Sequence, residues 1–333
     1  MTRVVLSIDG GGVRGYLPAR LLEYLLGEAN NIRKQHAHPG LFFDLIAGTS
    51  TGGIVAAAMA SRQGDGTTLI SFAELKNLYK NATPKIFRSS ILSQIRSATR
   101  PLFDNRLLSE NLVKICRAAR FSDVVTNIMI PAFDVMNQRT HIFRAGPGWR
   151  DGEESQFLLS DVLLSTTAAP VIFSSVVVAP VGTSRRRQHV DGGIVLNNPS
   201  LRALTEARRL FPADADDIVL LSLGTGTSQT YEERPSVEEW GALQWLNPMR
   251  RLPLLTLLMD AQAAEVDDHV STLLWDSKRF IRLQPHFSGV VPGMDDASEA
   301  AFASMDTALD RLLETDRDRI DFVIRLLAQT AQE

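Results

Sequence analysis

The chain has 333 residues, 44% of them apolar, which is enough to bury a large core and leaves room for one or two domains. A formal charge of -3 provides no basic footprint and excludes a nucleic-acid polymer as partner. Its single cysteine, Cys116, cannot close an internal disulfide, and its neighbours Leu112, Val113, Ile115 and Ala118 place it on the apolar side of a helix as a core thiol.

A strand is expected over Val4 to Asp9, close to an N-terminus with no charged segment leading into a hydrophobic one, so the expected location is the cytoplasm. Val13, Leu17, Leu21, Tyr24, Leu25 and Ile32 then recur at helical spacing, with Pro18 in the first turn. A strand over Phe43 to Thr49 follows, then helices over Gly52 to Ser61, Phe72 to Asn81 and Arg106 to Ala119. Strands are predicted over Asn127 to Phe133, His141 to Ala145, Val171 to Val178 and Val190 to Val195. Beyond them come a helix over Pro199 to Leu210, a strand over Ile218 to Gly224, a helix over Thr256 to Leu274, a strand over Arg279 to Leu283 and a helix over Ala297 to Leu327. This alternation predicts an α/β fold of three layers, a mostly parallel central sheet flanked by helices, in one continuous domain. Leu163 to Val181 is the most apolar long stretch, but Pro170, Pro180 and its hydroxyl residues argue against a membrane span. Pro84 to Asn105 and Ser228 to Pro253 read as irregular, and either could cover a site.

The first chemical motif, Asp9-Gly10-Gly11-Gly12-Val13-Arg14-Gly15, sits where a strand hands over to a helix. Consecutive glycines there let backbone N–H groups converge on a negative oxygen. Gly10, Gly12 and Gly15 also satisfy the dinucleotide fingerprint, yet the acidic residue expected to close the second strand is missing, since Asp44 lies at its beginning. A close-packed turn with no ligand is the plain alternative. The second motif, Gly48-Thr49-Ser50-Thr51-Gly52-Gly53, matches a nucleophile elbow, whose glycines at Gly48 and Gly52 relieve the crowding of a strand-to-helix turn. A serine that merely caps the helix is the competing reading. Among histidines, His189, His269 and His286 suit the order of a Ser-Asp-His hydrolase better than His36, His38 and His141 do, but none has a distinctive setting and most read as surface or second-layer residues. Asp191-Gly192-Gly193 presents a carboxylate at a strand end, although an aspartate in a glycine turn can be purely structural. No His, Cys or carboxylate cluster has ligand spacing, so neither calcium nor zinc is expected in the chemistry.

The run from Ser7 to Pro18, the elbow and Asp191-Gly192-Gly193 stand in the order seen in patatin-like phospholipases, and the chain resembles that family. Further similarity at Ser165 to Pro170, Leu220 to Thr227 and Met294 to Glu299 extends the resemblance over residues 4–310, with a C-terminal helical segment over residues 297–330. The resemblance implies a Ser-Asp dyad of Ser50 and Asp191 in place of a triad. It also implies an oxyanion hole from Gly10, Gly11 and Gly12, with Arg14 a further candidate. The implied activity is a serine lipid acyl hydrolase of phospholipase A, lysophospholipase or galactolipase type, acting on phospholipid or another acyl lipid without cofactor or metal. Three alternatives stay open: a Ser-His-Asp esterase or acyltransferase, a nucleotide-binding module built on Gly10 to Gly15, and an effector of the same fold. That last reading resembles antiphage phospholipases switched on by cyclic nucleotides, and it leaves room for a small nucleotide activator and for a homodimer.

Two surface segments bear on peripheral membrane contact. Lys85, Arg88, Arg96, Arg100 and Arg106 surround Ile86, Phe87, Ile91, Leu92, Ile95, Leu102 and Phe103, a mixture that suits either an anionic lipid surface or an ordinary loop. Trp240, Trp245, Leu246, Met249, Leu252, Leu254, Leu255, Leu257 and Leu258 are expected to pack on the core rather than form an interfacial patch. Arg185, Arg186 and Arg187 are expected at a hairpin tip before the Asp191 strand.

Overall fold

Strand β1 (Arg3–Ile8) is apolar on both faces: Val4, Leu6 and Ile8 enter one core and Val5 another, the pattern of a strand covered by helices on each side. The computed structural model describes residues 1–88, 99–149, 152–228, 237–247 and 253–331. Parallel to β1 on one side runs β2 (Leu45–Gly48), followed by β3 (Asn127–Asp134), and β3 pairs antiparallel with β4 (Arg139–Ala145). Strands β5 (Val176–Val178) and β6 (Arg187–Asp191) add an antiparallel margin, while β7 (Ile218–Leu223) continues the parallel series on the far side of β1. Strand β9 (Phe280–Leu283) lies parallel to β7, and β8 (Thr227–Ser228) and β10 (His286–Phe287) form a separate short parallel pair. The main sheet is therefore ordered β5-β6-β3-β2-β1-β7-β9, with β4 beside β3.

Helices cover both faces. On one lie α1 (Tyr16–Arg33) and α2 (Thr51–Ala60), and a helical run composed of α3 (Phe72–Asn77), a π turn over Leu78–Ala82 and α4 (Thr83–Ile86). Helices α5 (Asn105–Cys116) and α6 (Leu159–Thr166) add to the same core. After the one-turn helix α7 (Gly193–Leu196), α8 (Ser200–Leu210) covers the opposite face. The one-turn α9 (Ala242–Trp245) precedes α10 (Pro253–Leu273), which packs on α8, and α11 (Glu299–Thr315) and α12 (Arg317–Thr330) return to α1. No helix among the described residues is long and apolar enough to cross a membrane.

Several expectations need correction. The predicted strand Val190–Val195 stops at Asp191, whose carboxylate accepts the Gly193 N–H at 2.7 Å and turns the chain into α7. Of Val171–Val178 only the last three residues are strand, because Val171 adopts φ +69° and residues 169–173 form turns. The helix over Ala297–Leu327 is two helices that meet at Asp316, and α6 went unpredicted inside an apolar stretch that lacks a clear helical stripe. Cys116 is buried as expected, and Arg185 and Arg186 lie in the β5–β6 connection with Arg187 opening β6. In the leucine-rich segment the core expectation holds only in part: Leu255 is half-buried and packs on the main core, whereas Leu246, Leu254, Leu257 and Leu258 are exposed, Leu258 at 58%, and Met249 and Leu252 lie outside the described residues. Of the basic and apolar mixture, Leu102 and Phe103 are buried, and Ile91, Leu92, Ile95 and Arg96 lie outside the described residues.

Helix α2 explains its own composition. Every residue from Thr51 to Ala60 is buried, so alanine and glycine are what the space between sheet and outer helices admits. Ala57→Leu is expected to lower stability by about 1–3 kcal/mol through overpacking, measured by urea unfolding. An unchanged midpoint would mean that α2 is loosely packed.

Candidate active site

The site begins at the carboxyl end of β2, where parallel sheets bind their ligands. Ser50 follows β2 by two residues and takes φ +54° and ψ -122°, a left-handed backbone that non-glycine residues adopt only where their surroundings enforce it. The enforcing contacts are backbone to backbone. A Cβ on Gly48 would approach the Gly52 carbonyl oxygen to 2.1 Å, and one on Gly52 would approach the Ile8 carbonyl oxygen to 2.4 Å. Both elbow glycines are thus required by close approach, as the motif predicted.

Strand β3 brings the partner. Along one edge it carries β2 as far as the Ala47–Met129 pair, and β4 fills the opposite edge. Strand β6 arrives antiparallel on the β2 side and ends with Asp191 opposite Ala132, so β2 and β6 meet head to head with Pro131 at the gap. There the Ser50 hydroxyl donates to Asp191 Oδ2 at 2.6 Å, both side chains being buried. Thr166 closes the gap, donating its hydroxyl to the Pro131 carbonyl at 2.6 Å and accepting the Ser50 N–H at 2.9 Å. Sequence reasoning missed this role of Thr166, although it lies inside the Ser165 to Pro170 run that carried part of the resemblance. Burial pushes the Asp191 carboxyl up to about 7, against the pull of its hydrogen bonds from Ser50 and the Gly193 amide.

The glycine turn lies alongside. Gly10 directs its N–H to the Asn197 carbonyl at 2.9 Å, which removes it from the expected set of oxyanion donors. Val13 donates to the Met294 carbonyl at 2.8 Å. Between them, the Gly11 and Gly12 amides have no acceptor among the described residues. Gly12 sits at φ +61° with the Met294 carbonyl oxygen 2.1 Å from where a Cβ would be, so this position admits only glycine. Arg14 is buried and aims its guanidinium at the carbonyls of Gly11 and Gly226, at 3.5 and 3.4 Å, bracing the turn. Asp9, the first residue of the motif, pairs with Arg282 of β9 at 2.5 Å, and burial pushes its carboxyl up to about 6.

Gly12, Ser50 and Asp191 line one apolar pocket, together with Ile54, Leu78 and Phe173. Its hydroxyls are already engaged: Thr51 with Tyr79 at 2.6 Å, Thr83 with the Tyr79 carbonyl and Thr167 with the Leu163 carbonyl. Among the described residues of the lining, Asp191 is the one charged side chain.

Neither His269 nor His286 lies in this lining, and both hydrogen bonds of His189 lead away from Ser50. His189 and His141 are buried, in a second layer rather than at the surface, with His189 Nε2 2.9 Å from His141 Nδ1 and its Nδ1 3.2 Å from the Ser165 hydroxyl. Burial holds the His189 imidazole down to about 3, leaving it neutral.

The family model for patatin-like phospholipases matches residues 6–204. The chain is 31% identical to Patatin-like protein 2 of Arabidopsis thaliana, an alignment covering 93% of this chain and 81% of that protein. It is 30% identical to Patatin-2-Kuras 1 of Solanum tuberosum, covering 89% and 82% respectively. Among solved structures, VipD from Legionella pneumophila aligns at a TM-score of 0.42 and 12% identity over 93% of this chain and 67% of its own. The matched span of 6–204 holds the glycine turn, the elbow and Asp191, and the chain belongs to the patatin-like phospholipase family.

Proposed function

We propose that this protein is a serine lipid acyl hydrolase in which Ser50 and Asp191 work as a dyad. The observation that carries the reading is the buried 2.6 Å hydrogen bond from the Ser50 hydroxyl to Asp191. Asp191 takes the Ser50 proton while the serine oxygen attacks the ester carbonyl. The Gly11 and Gly12 amides, free of protein acceptors among the described residues, stabilise the oxyanion, with Gly10 and Arg14 holding the turn that presents them. Collapse of the tetrahedral intermediate breaks the ester C–O bond, and Asp191 returns the proton to the departing alcohol. A water molecule, deprotonated by Asp191, then attacks the acyl-enzyme, and collapse of the second tetrahedral intermediate breaks the Ser50 ester bond as Asp191 returns the proton to the serine oxygen, releasing the fatty acid. The apolar lining and its satisfied hydroxyls favour an acyl chain in the pocket and leave the headgroup at the mouth.

The triad reading is disfavoured because His189, the histidine nearest in sequence to Asp191, is neutral and bonded elsewhere. The nucleotide-module reading is disfavoured because the amides of Gly10 and Val13 are spent on protein carbonyls.

Asp191→Asn should lower hydrolysis of a short p-nitrophenyl ester by a hundredfold or more, while His189→Asn, if folded, should stay within about tenfold. A well-folded His189→Asn protein that is inactive, beside an active Asp191→Asn protein, would overturn the dyad. The raised carboxyl pKa carries a second expectation. Asp191 must be ionised to accept a proton, so kcat/KM should fall about tenfold per unit as pH drops below about 7. An acid limb near 4, the ordinary carboxylate range, would mean that the pair is wetter than its burial implies.

A further inference from the structure

One short segment takes the backbone N–H of both Ser50 and Asp191. At the end of α6, Thr166 accepts the Ser50 N–H at 2.9 Å and donates its hydroxyl to the Pro131 carbonyl at 2.6 Å. Two residues further on, the Ala168 carbonyl accepts the Asp191 N–H at 2.9 Å. One residue before Thr166, the Ser165 hydroxyl lies 3.2 Å from Nδ1 of His189, on the strand that ends in Asp191. The stretch Ser165 to Ala168 therefore bonds to β3, to β6 and to the elbow between β2 and α2. The β2–β3 ladder has ended by then, at the Ala47–Met129 pair. In its place the Thr166 hydroxyl joins the Ser50 N–H to the Pro131 carbonyl with one oxygen between them. That oxygen keeps the two backbones apart by its own width. Without it, both groups are buried and unpaired, or they meet each other by drawing Ser50 towards β3 and out of line with Asp191. The methyl of Thr166 packs on α2, where a Cβ on Gly53 would come within 3.0 Å of it. Thr166 is 0% exposed and, among the described residues, is no part of the pocket lining, so it acts on the chemistry only through Ser50.

We propose that Thr166 to Ala168 form a common template that sets the spacing of Ser50 and Asp191, with the Thr166 hydroxyl as the positioning group for the nucleophile. The proposal rests on the hydrolase reading, since it concerns the alignment of that reaction's two groups. Misplacing a reacting group by about 1 Å costs up to about a hundredfold in rate, so the hydroxyl is a determinant of kcat and not of binding.

The experiment measures kcat and KM separately on p-nitrophenyl butanoate across pH, for the wild type, Thr166→Val, Thr166→Ser and Thr166→Cys, each checked for folding by its thermal transition. Thr166→Val keeps the shape and removes the hydroxyl, so kcat should fall by about tenfold to a hundredfold with KM within about twofold. Its acid limb should also move up from about 7, because the Ser50 hydrogen bond helps to hold the buried Asp191 carboxyl down, and Asp191 must be ionised to act. Thr166→Ser should restore kcat to within about threefold of the wild type, and Thr166→Cys, whose thiol is a weak donor, should fall between the two. A folded Thr166→Val protein with wild-type kcat and an unmoved acid limb overturns the template. So does a Thr166→Ser protein as slow as Thr166→Val, which would make the methyl responsible, or a loss confined to KM. Should Thr166→Val not fold, Thr166→Cys decides it: a lower kcat than Thr166→Ser at equal KM supports the template, and equal kcat overturns it. Hydrolysis that survives in Ser50→Ala would defeat the hydrolase reading itself. Ser50-dependent hydrolysis that is indifferent to the Thr166 hydroxyl would defeat only the template.

Discussion

Along one edge of β3, two strands of opposite direction run out at the same place, and the site is built on that gap. Strand β2 must leave the sheet before it meets β6, so its chain turns sharply at Ser50 into α2. Strand β6 must end for the same reason, and Asp191 is its last residue. Both side chains therefore face the space that neither strand fills, and the Pro131 carbonyl, left without a ladder partner there, is satisfied by Thr166. The elbow's left-handed serine stores strain on the order of 1–3 kcal/mol, and the close backbone approaches at Gly48 and Gly52 hold it in place.

The electrostatics follow from the same burial. Among the described residues no cation is bonded to the Asp191 carboxylate, whose partners there are a hydroxyl and one amide, so desolvation dominates and brings its pKa close to neutrality. A carboxylate with an ordinary pKa is a poor match to a serine proton, and in the proposed dyad the raised value would improve that match. Asp9 differs in kind. It is also buried, but the pairing with Arg282 anchors the start of the glycine turn to β9, so its charge is directed at architecture.

The sequence made the parallel part of the fold and the ends of the site readable for separate reasons. Strands such as Val4 to Ile8 and Ile218 to Leu223 are apolar on both faces and bounded by glycine, a pattern few alternatives produce. Ser50 and the glycines around it were readable because the elbow demands particular residues at fixed offsets. Asp191 was readable only as one of three ordered motifs, since an aspartate before two glycines also suits a plain turn. What stayed hidden depends on contacts distant in sequence. Nothing local to Gly10 reveals that the Asn197 carbonyl takes its N–H, nor does the setting of His189 reveal that His141 and Ser165 occupy its ring nitrogens. The strand expected over Val190–Val195 failed for a related reason, because its branched residues favour extension while the Asp191 carboxylate and the end of the sheet edge impose a turn.

The central claim is that Ser50 is a nucleophile poised by burial, strain and a single carboxylate. Intact-mass analysis after reaction with a fluorophosphonate tests it most directly, because the adduct forms only where a serine oxygen is activated beside oxyanion donors. The account predicts one adduct per chain, mapped to Ser50, lost in Ser50→Ala and strongly slowed in Asp191→Asn. Labelling that persists in Ser50→Ala, or proceeds at an undiminished rate in Asp191→Asn, would contradict it.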